Sequence, residues 1–180
     1  MADRGTLFGP IKQVAWLVRD LEASMARWME QAGVGPWTCF ENVTLNGEMN
    51  GRPTTVLMDV GLSYRDGVQI ELIRVRSSDP CPYLDASGTP LTGMHHIAYL
   101  SEDVDADVAR AEGRGLRTIF RAENPATKVA YLEAPGEEGL IIELIEARPA
   151  IMEGFKTGQA ACDAWDGTPH VERIDLGAIG

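Results

Sequence analysis

The strongest constraint on this 180-residue chain is that part of it occurs twice. "QVAWLVRDLEASMARWMEQAGV", from Gln13, aligns with "HIAYLSEDVDADVARAEGRGL", from His96. The offset is 83 residues, so Val14 falls on Ile97, Ala15 on Ala98, Trp16 on Tyr99 and Asp20 on Asp103. Self-similarity of this kind marks one supersecondary unit used twice. Each copy reads as an apolar strand followed by an amphipathic helix. Between them an aspartate stands where its carboxylate can accept from an orphan N–H of the first turn. Glycine closes the helices, Gly33 in the first copy and Gly113 or Gly115 in the second, since the residue after a helix commonly turns left-handed.

The copies also end alike. "VQIELIR" from Val68 matches "LIIELIE" from Leu140, which sets Glu71 on Glu143. Between helix and last strand the first copy holds "WTCFENVTLN" and "TTVLMDVGLSY", and the second holds "RTIFRA" and "KVAYLEA". "RDG" at Arg65 to Gly67 and "PGEEG" supply the final turns. The expected fold class is α+β, with two tandem βαβββ modules at residues 8–76 and 92–148. Together they make one curved, barrel-like, eight-stranded mixed sheet, open at its edges, with helices outside. Residues 77–91, within the Pro-, Ser- and Asp-rich "RSSDPCPYLDASGTPLTG", form the linker, and residues 149–180 a C-terminal extension. That extension is expected to begin with a helix from Pro149 to Trp165, closed by "WDG", covering a sheet edge or a subunit interface.

Bulk properties exclude several classes. With 44% hydrophobic and 24% charged residues the chain is an ordinary globular protein. Apolar runs such as "GLIIELIEA" fall far short of the ~20 residues of a membrane span. "MADRGTLFGP" lacks a basic-then-apolar signal pattern, so the expected location is cytoplasmic. Cys39, Cys81 and Cys162 are odd in number and scattered, which argues against a disulfide framework or a cysteine zinc site. A net charge of −11 disfavours nucleic acid as a partner.

Four polar residues stand out in otherwise apolar strands: Gln13, Glu71, His96 and Glu143. They occupy matching points of the repeat. Glu71 shares a face with Gln69 and Ile73, and Glu143 with Ile141 and Ile145, on a period of two. An ionised carboxylate in such surroundings is costly without a compensating charge. One imidazole nitrogen and several oxygens suit a hard or borderline divalent ion. Adjacent strand residues point to opposite faces, so His96, aligned with Gln13, is the candidate ligand and His95 is expected to point away. Trp16 and Tyr99 are expected to pack under the helices. Arg52, Tyr64, Arg65 and Tyr83 lie on or near loops that could reach a pocket mouth, but read first as surface residues, as does His170.

These motifs over residues 10–148 resemble the vicinal oxygen chelate superfamily, which includes glyoxalase I, methylmalonyl-CoA epimerase, extradiol dioxygenases and bleomycin-resistance proteins. The resemblance implies two βαβββ modules around a metal, with Gln13, Glu71, His96 and Glu143 as its ligands. That set is similar to the zinc-binding set of animal-type glyoxalase I, so zinc is the first choice, with cobalt, nickel or manganese as alternatives. Extradiol dioxygenases need histidine at the first ligand position, where this chain has Gln13. The positions of the glutathione-gripping residues hold Leu17, Thr92 and Val75, which speaks against glutathione-linked activity. The implied function is a metal-dependent isomerase, epimerase or lyase acting on a small molecule. It would move a proton next to a carbonyl held by the metal, with Glu143 as general base and Glu71 serving the opposite face. The resemblance also implies a homodimer. One rival is a metal-free small-molecule binding protein of the same fold. Another is an enzyme for an aromatic or polycyclic compound, with the apolar strands lining its pocket.

Overall fold

A computed structural model describes residues 6–178. Residues 1–5, where the signal-pattern reading begins, and the last two residues of the 149–180 extension lie outside the described residues. In chain order the elements are β1 (Gln13–Leu17), α1 (Leu21–Ala32), β2 (Trp37–Met49), β3 (Arg52–Arg65) and β4 (Val68–Val75). Then follow β5 (Gly93–Ser101), α2 (Val104–Glu112), β6 (Arg117–Glu123), β7 (Lys128–Glu133) and β8 (Ile141–Glu146). The tail adds α3 (Pro149–Asp163), β9 (Val171–Asp175) and a 3-10 turn at Leu176–Ala178.

Local chemistry explains these elements. Asp20 and Asp103 accept from the backbone N–H groups of Ala23 and Ala106, both at 3.0 Å, and so start α1 and α2. Gly33 ends α1 at φ 63°. Asn50–Gly51 and Asp66–Gly67 both have positive φ, as two-residue hairpin turns matched to strand twist require, and they join β2 to β3 and β3 to β4.

The sheet is mixed, and eight of its strands close on themselves. Their order is β3-β4-β1-β5-β8-β7-β6-β2, with β2 returning to β3. The expected open sheet is therefore closed, and the ring leaves an edge at the near end of β2, which β6 does not reach. Closure depends on β2, whose far end, Gly47–Met49, pairs with β6. A Cβ on Gly47 would lie 2.2 Å from the Arg121 carbonyl oxygen, so only glycine lets the two backbones approach there. The near end of β2, Trp37–Glu41, pairs instead with β9 in parallel, which makes a ninth strand the sequence reading did not foresee.

Three apolar clusters follow from strand alternation. One fills the ring around Ala15, Val56, Val60, Ile73, Ala98 and Tyr131. The others lie outside it, under α1 (Leu21, Met25, Leu72) and under α2 (Val104, Val108, Leu144). Trp16 meets Trp28 of α1 at 5.1 Å between ring centres, and Tyr99 meets Phe8 at 5.0 Å. The linker dips into the core at residues 81–83: Tyr83, expected at the surface, is 1% exposed inside the ring cluster. Tyr64, likewise expected at the surface, is buried against Phe155 of α3. Arg52 and Arg65 are exposed as expected.

Candidate metal centre

β1 and β5 run side by side through the ring, and each carries a fully buried alanine, Ala15 and Ala98. Ala15 lies between Glu71 on β4 and His96 on β5. Ala98 lies between Gln13 on β1 and Glu143 on β8. Cross-strand partners share a sheet face, as do residues two apart, so all four polar side chains stand on the inner face. Leu72 and Leu144, one residue on from the glutamates, turn outward under the helices.

One nitrogen or oxygen atom from each of Glu71, His96 and Glu143 lies within 4.8 Å of the other two. His96 Nε2 is 3.1 Å from a Glu143 oxygen and 3.4 Å from a Glu71 oxygen, yet it makes no aligned hydrogen bond to either. Gln13 Oε1 is likewise buried without a partner.

The hydrogen bonds behind these two atoms show what kind of atom each is. A carbonyl oxygen only accepts, so the Pro82 oxygen, 2.8 Å from His95 Nε2, requires a proton on that nitrogen. Burial and the neighbouring His96 charge hold His95 down to about 4, so it is neutral and its Nδ1 accepts. His96 Nδ1, at 2.9 Å, is then the donor. Its Nε2 is left as the position that takes a proton or a cation. On the other side, Tyr64 donates to the Gly154 carbonyl of α3 at 3.3 Å. Gln69 Nε2 donates to the Tyr64 oxygen, and Gln13 Nε2 donates to Gln69 Oε1 at 2.7 Å. Gln13 Oε1 is left as a bare acceptor. Two relays thus end in two buried lone-pair atoms at equivalent points of β1 and β5.

His95 does not point away. Ala15 pairs with His96 and Trp16 pairs with Met94, so His95 is the extra residue of a β-bulge. A bulge breaks alternation and re-aims a side chain, and both imidazoles therefore enter the ring. Nothing in "GMHHIAY" signals the bulge, and the role of His95 was missed for that reason.

Electrostatics point the same way. Burial lowers the His96 pKa, but the Glu143 and Glu71 carboxylates outweigh it and leave it raised to about 9. Burial also raises the Glu71 carboxyl, against the pull of His96. Tyr83 and Tyr131, whose hydroxyls are 2.8 Å apart, are held neutral, mainly by burial. A single proton on His96 leaves two carboxylates undercompensated, whereas a divalent ion would balance both. Nitrogen and oxygen donors converging with unspent lone pairs fit a divalent cation such as zinc.

The pattern of the Glyoxalase/Bleomycin resistance protein/Dioxygenase superfamily matches residues 12–132. Among solved structures the fold is similar to methylmalonyl-CoA epimerase from Mycobacterium tuberculosis, with a TM-score of 0.54 and 19% identity, covering 82% of this chain and 94% of that one. It is also similar to the hypothetical protein BH1468 from Bacillus halodurans C-125, with a TM-score of 0.51 and 14% identity, covering 77% and 94%. At these identities the likeness is one of fold. No curated protein matches the chain in sequence.

Proposed function

The chain belongs to the Glyoxalase/Bleomycin resistance protein/Dioxygenase superfamily, and we propose that it is a metal-dependent isomerase or epimerase, or a related lyase. It would move a proton at the carbon beside a carbonyl. The observation that carries this reading is the pair of buried, unpartnered acceptors, Gln13 Oε1 and His96 Nε2, set beside the buried carboxylate of Glu143 and the partly buried one of Glu71. Gln13, Glu71, His96 and Glu143 would hold the ion, with zinc favoured and cobalt, nickel or manganese also suited to the donors. Such an ion supplies Lewis-acid polarisation of a carbonyl oxygen.

The protein's own residues do the rest. Glu143 takes the proton from the carbon, and Glu71 serves the opposite face. Tyr83 and Tyr131 stay neutral beside them and offer hydroxyl donors without adding charge. We read residues 8–76 and 92–148 as two copies of one module, with 77–91 connecting them and 149–180 as an extension. All four proposed ligands come from one chain. A homodimer is part of the proposal, and light scattering tests it. A cytoplasmic location also belongs to it, in keeping with three unpaired thiols. None of the described helices is long and apolar enough to cross a membrane.

The test is metal content after reconstitution with zinc, cobalt, nickel and manganese in turn. A stoichiometric ion is expected. Glu143→Gln should retain it, because the amide keeps an oxygen, while losing proton exchange at the substrate carbon. Protein that takes up none of the four ions points instead to a metal-free binding protein, a role that the apolar walls of the ring interior would also serve.

A further inference from the structure

The interior of the ring beside the four polar residues is a cavity of about 340 Å³. That lies at the small end of the roughly 300–1,000 Å³ of small-molecule sites. Its walls are hydrocarbon and aromatic: Phe40, Val60 and Leu62 from β2 and β3, Ile145 from β8, and Ile151 and Phe155 from α3. Among the described residues, its uncharged polar groups are Gln13, Gln69, Tyr64, Tyr83, Thr127 and Tyr131, and its charged side chains are Glu71 and Glu143.

Among the described residues, no lysine or arginine lines it. The arginines of neighbouring strand ends are engaged elsewhere: Arg74 and Arg76 with Asp59, and Arg148 with Glu123 and Glu146. A divalent ion balanced by two carboxylates and a neutral imidazole leaves no net positive charge to hold a second anion. An ionised substrate group inside these walls would lose its hydration without gaining a counter-charge. The chain's net charge of −11 further opposes the approach of a polyanion.

Resting on the catalytic reading above, we propose that the substrate is an uncharged carbonyl compound with a compact alicyclic or aromatic skeleton. Substrates whose anionic group must enter the ring, such as the free carboxylate of a methylmalonyl thioester, are disfavoured, because the described lining offers that group no cationic partner. Specificity then comes from apolar fit against the strands and α3, and the carbonyl oxygen is the substrate's one strongly polar handle.

The experiment is calorimetric titration of the zinc-reconstituted protein with three probes: α-tetralone, a tetralone bearing a ring carboxylate, and methylmalonyl-CoA. α-Tetralone should bind at least about tenfold more tightly than its carboxylate, a difference of about one decade in Kd, and methylmalonyl-CoA should not bind. Phe155→Arg puts a cation on the cavity wall from a helix that has no buried residue, so folding should tolerate it. It should weaken α-tetralone and strengthen the carboxylate, reversing the order. Wild type that binds methylmalonyl-CoA or the carboxylate as well as the ketone overturns the proposal, as does an unchanged order in Phe155→Arg. The titration is repeated on protein stripped with chelator, which separates the two readings. Ketone preference in a protein that takes up no metal keeps the substrate class and removes the catalytic reading. A metal-loaded protein that prefers the anions does the reverse.

Discussion

The relay behind Gln13 and the relay behind His96 obey one logic with unequal anchoring. Each begins at a carbonyl that can only accept and ends in a lone pair on the inner face of a central strand. The His96 relay runs through His95 to Pro82, with both bonds below 3 Å and every side chain buried. The Gln13 relay runs through Gln69 and Tyr64 to Gly154, and its last bond, at 3.3 Å, reaches an exposed residue of α3. The buried linker segment at residues 81–83 therefore anchors the His96 imidazole through short, buried bonds, while the surface helix anchors the Gln13 amide through a longer bond at an exposed residue. The same helix walls the cavity, so the looser relay is also the one that substrate shape can reach.

The largest effect that would break this comparison comes from the two histidines. His96→Ala removes the only nitrogen donor and leaves Glu71 facing Glu143. Bound metal should be lost, together with the ~2.7 kcal/mol that an ion at about a hundred times its Kd contributes to stability. In melting temperature that is roughly 5–10 °C. Gln13→Ala should cost clearly less metal affinity than His96→Ala. His95→Phe keeps a ring in the bulge but removes the acceptor that holds the His96 Nδ1 proton. Metal affinity, read by competition with a chromophoric chelator, should fall about 10–100-fold. Affinity equal to wild type in His95→Phe would show that the relay orients nothing.

A smaller and graded effect sharpens the account of His96. Its pKa, raised to about 9 in the metal-free protein, means that below this pH an incoming ion must displace a proton from Nε2. Apparent metal affinity should therefore rise with pH, by about tenfold per unit, and level off above about 9. The same measurement on Gln13→Ala should keep this slope, because the amide does not titrate. The smallest effect belongs to the looser relay. A Cβ on Gly158 would fall 2.1 Å from the Tyr64 ring, so Gly158→Val must lift α3. Metal affinity should change only a few-fold while binding of an apolar ketone weakens more, because α3 forms a cavity wall and only the far end of the Gln13 relay.

Much of the architecture was legible because the repeat spreads its signal over many residues. Strand alternation placed Trp16 and Tyr99 under helices without any single motif. Gln13, Glu71, His96 and Glu143 were visible for the same reason, as polar positions in apolar strands. What escaped depended on backbone events with no side-chain signature. The bulge at His95 inverts alternation for one residue and turns a presumed outward ring into the support of its neighbour. Gly47 lies just past the expected strand "WTCFENVTLN", yet it permits the contact between β2 and β6 that closes the ring. Tyr83 lies in a segment whose prolines and aspartates mask its burial. β9, "VERID", is short and acidic, and it forms because the near end of β2 still has a free edge for it.

The claim that both relays converge on a single cation is tested most directly by anomalous diffraction from crystals soaked with cobalt or zinc. The expected result is one peak inside the ring, about 2.0–2.2 Å from Gln13 Oε1, His96 Nε2 and an oxygen each of Glu71 and Glu143. His95 should remain bonded to Pro82. A peak on His95, on His96 Nδ1 or outside the ring, or no peak at saturating ion, would contradict it.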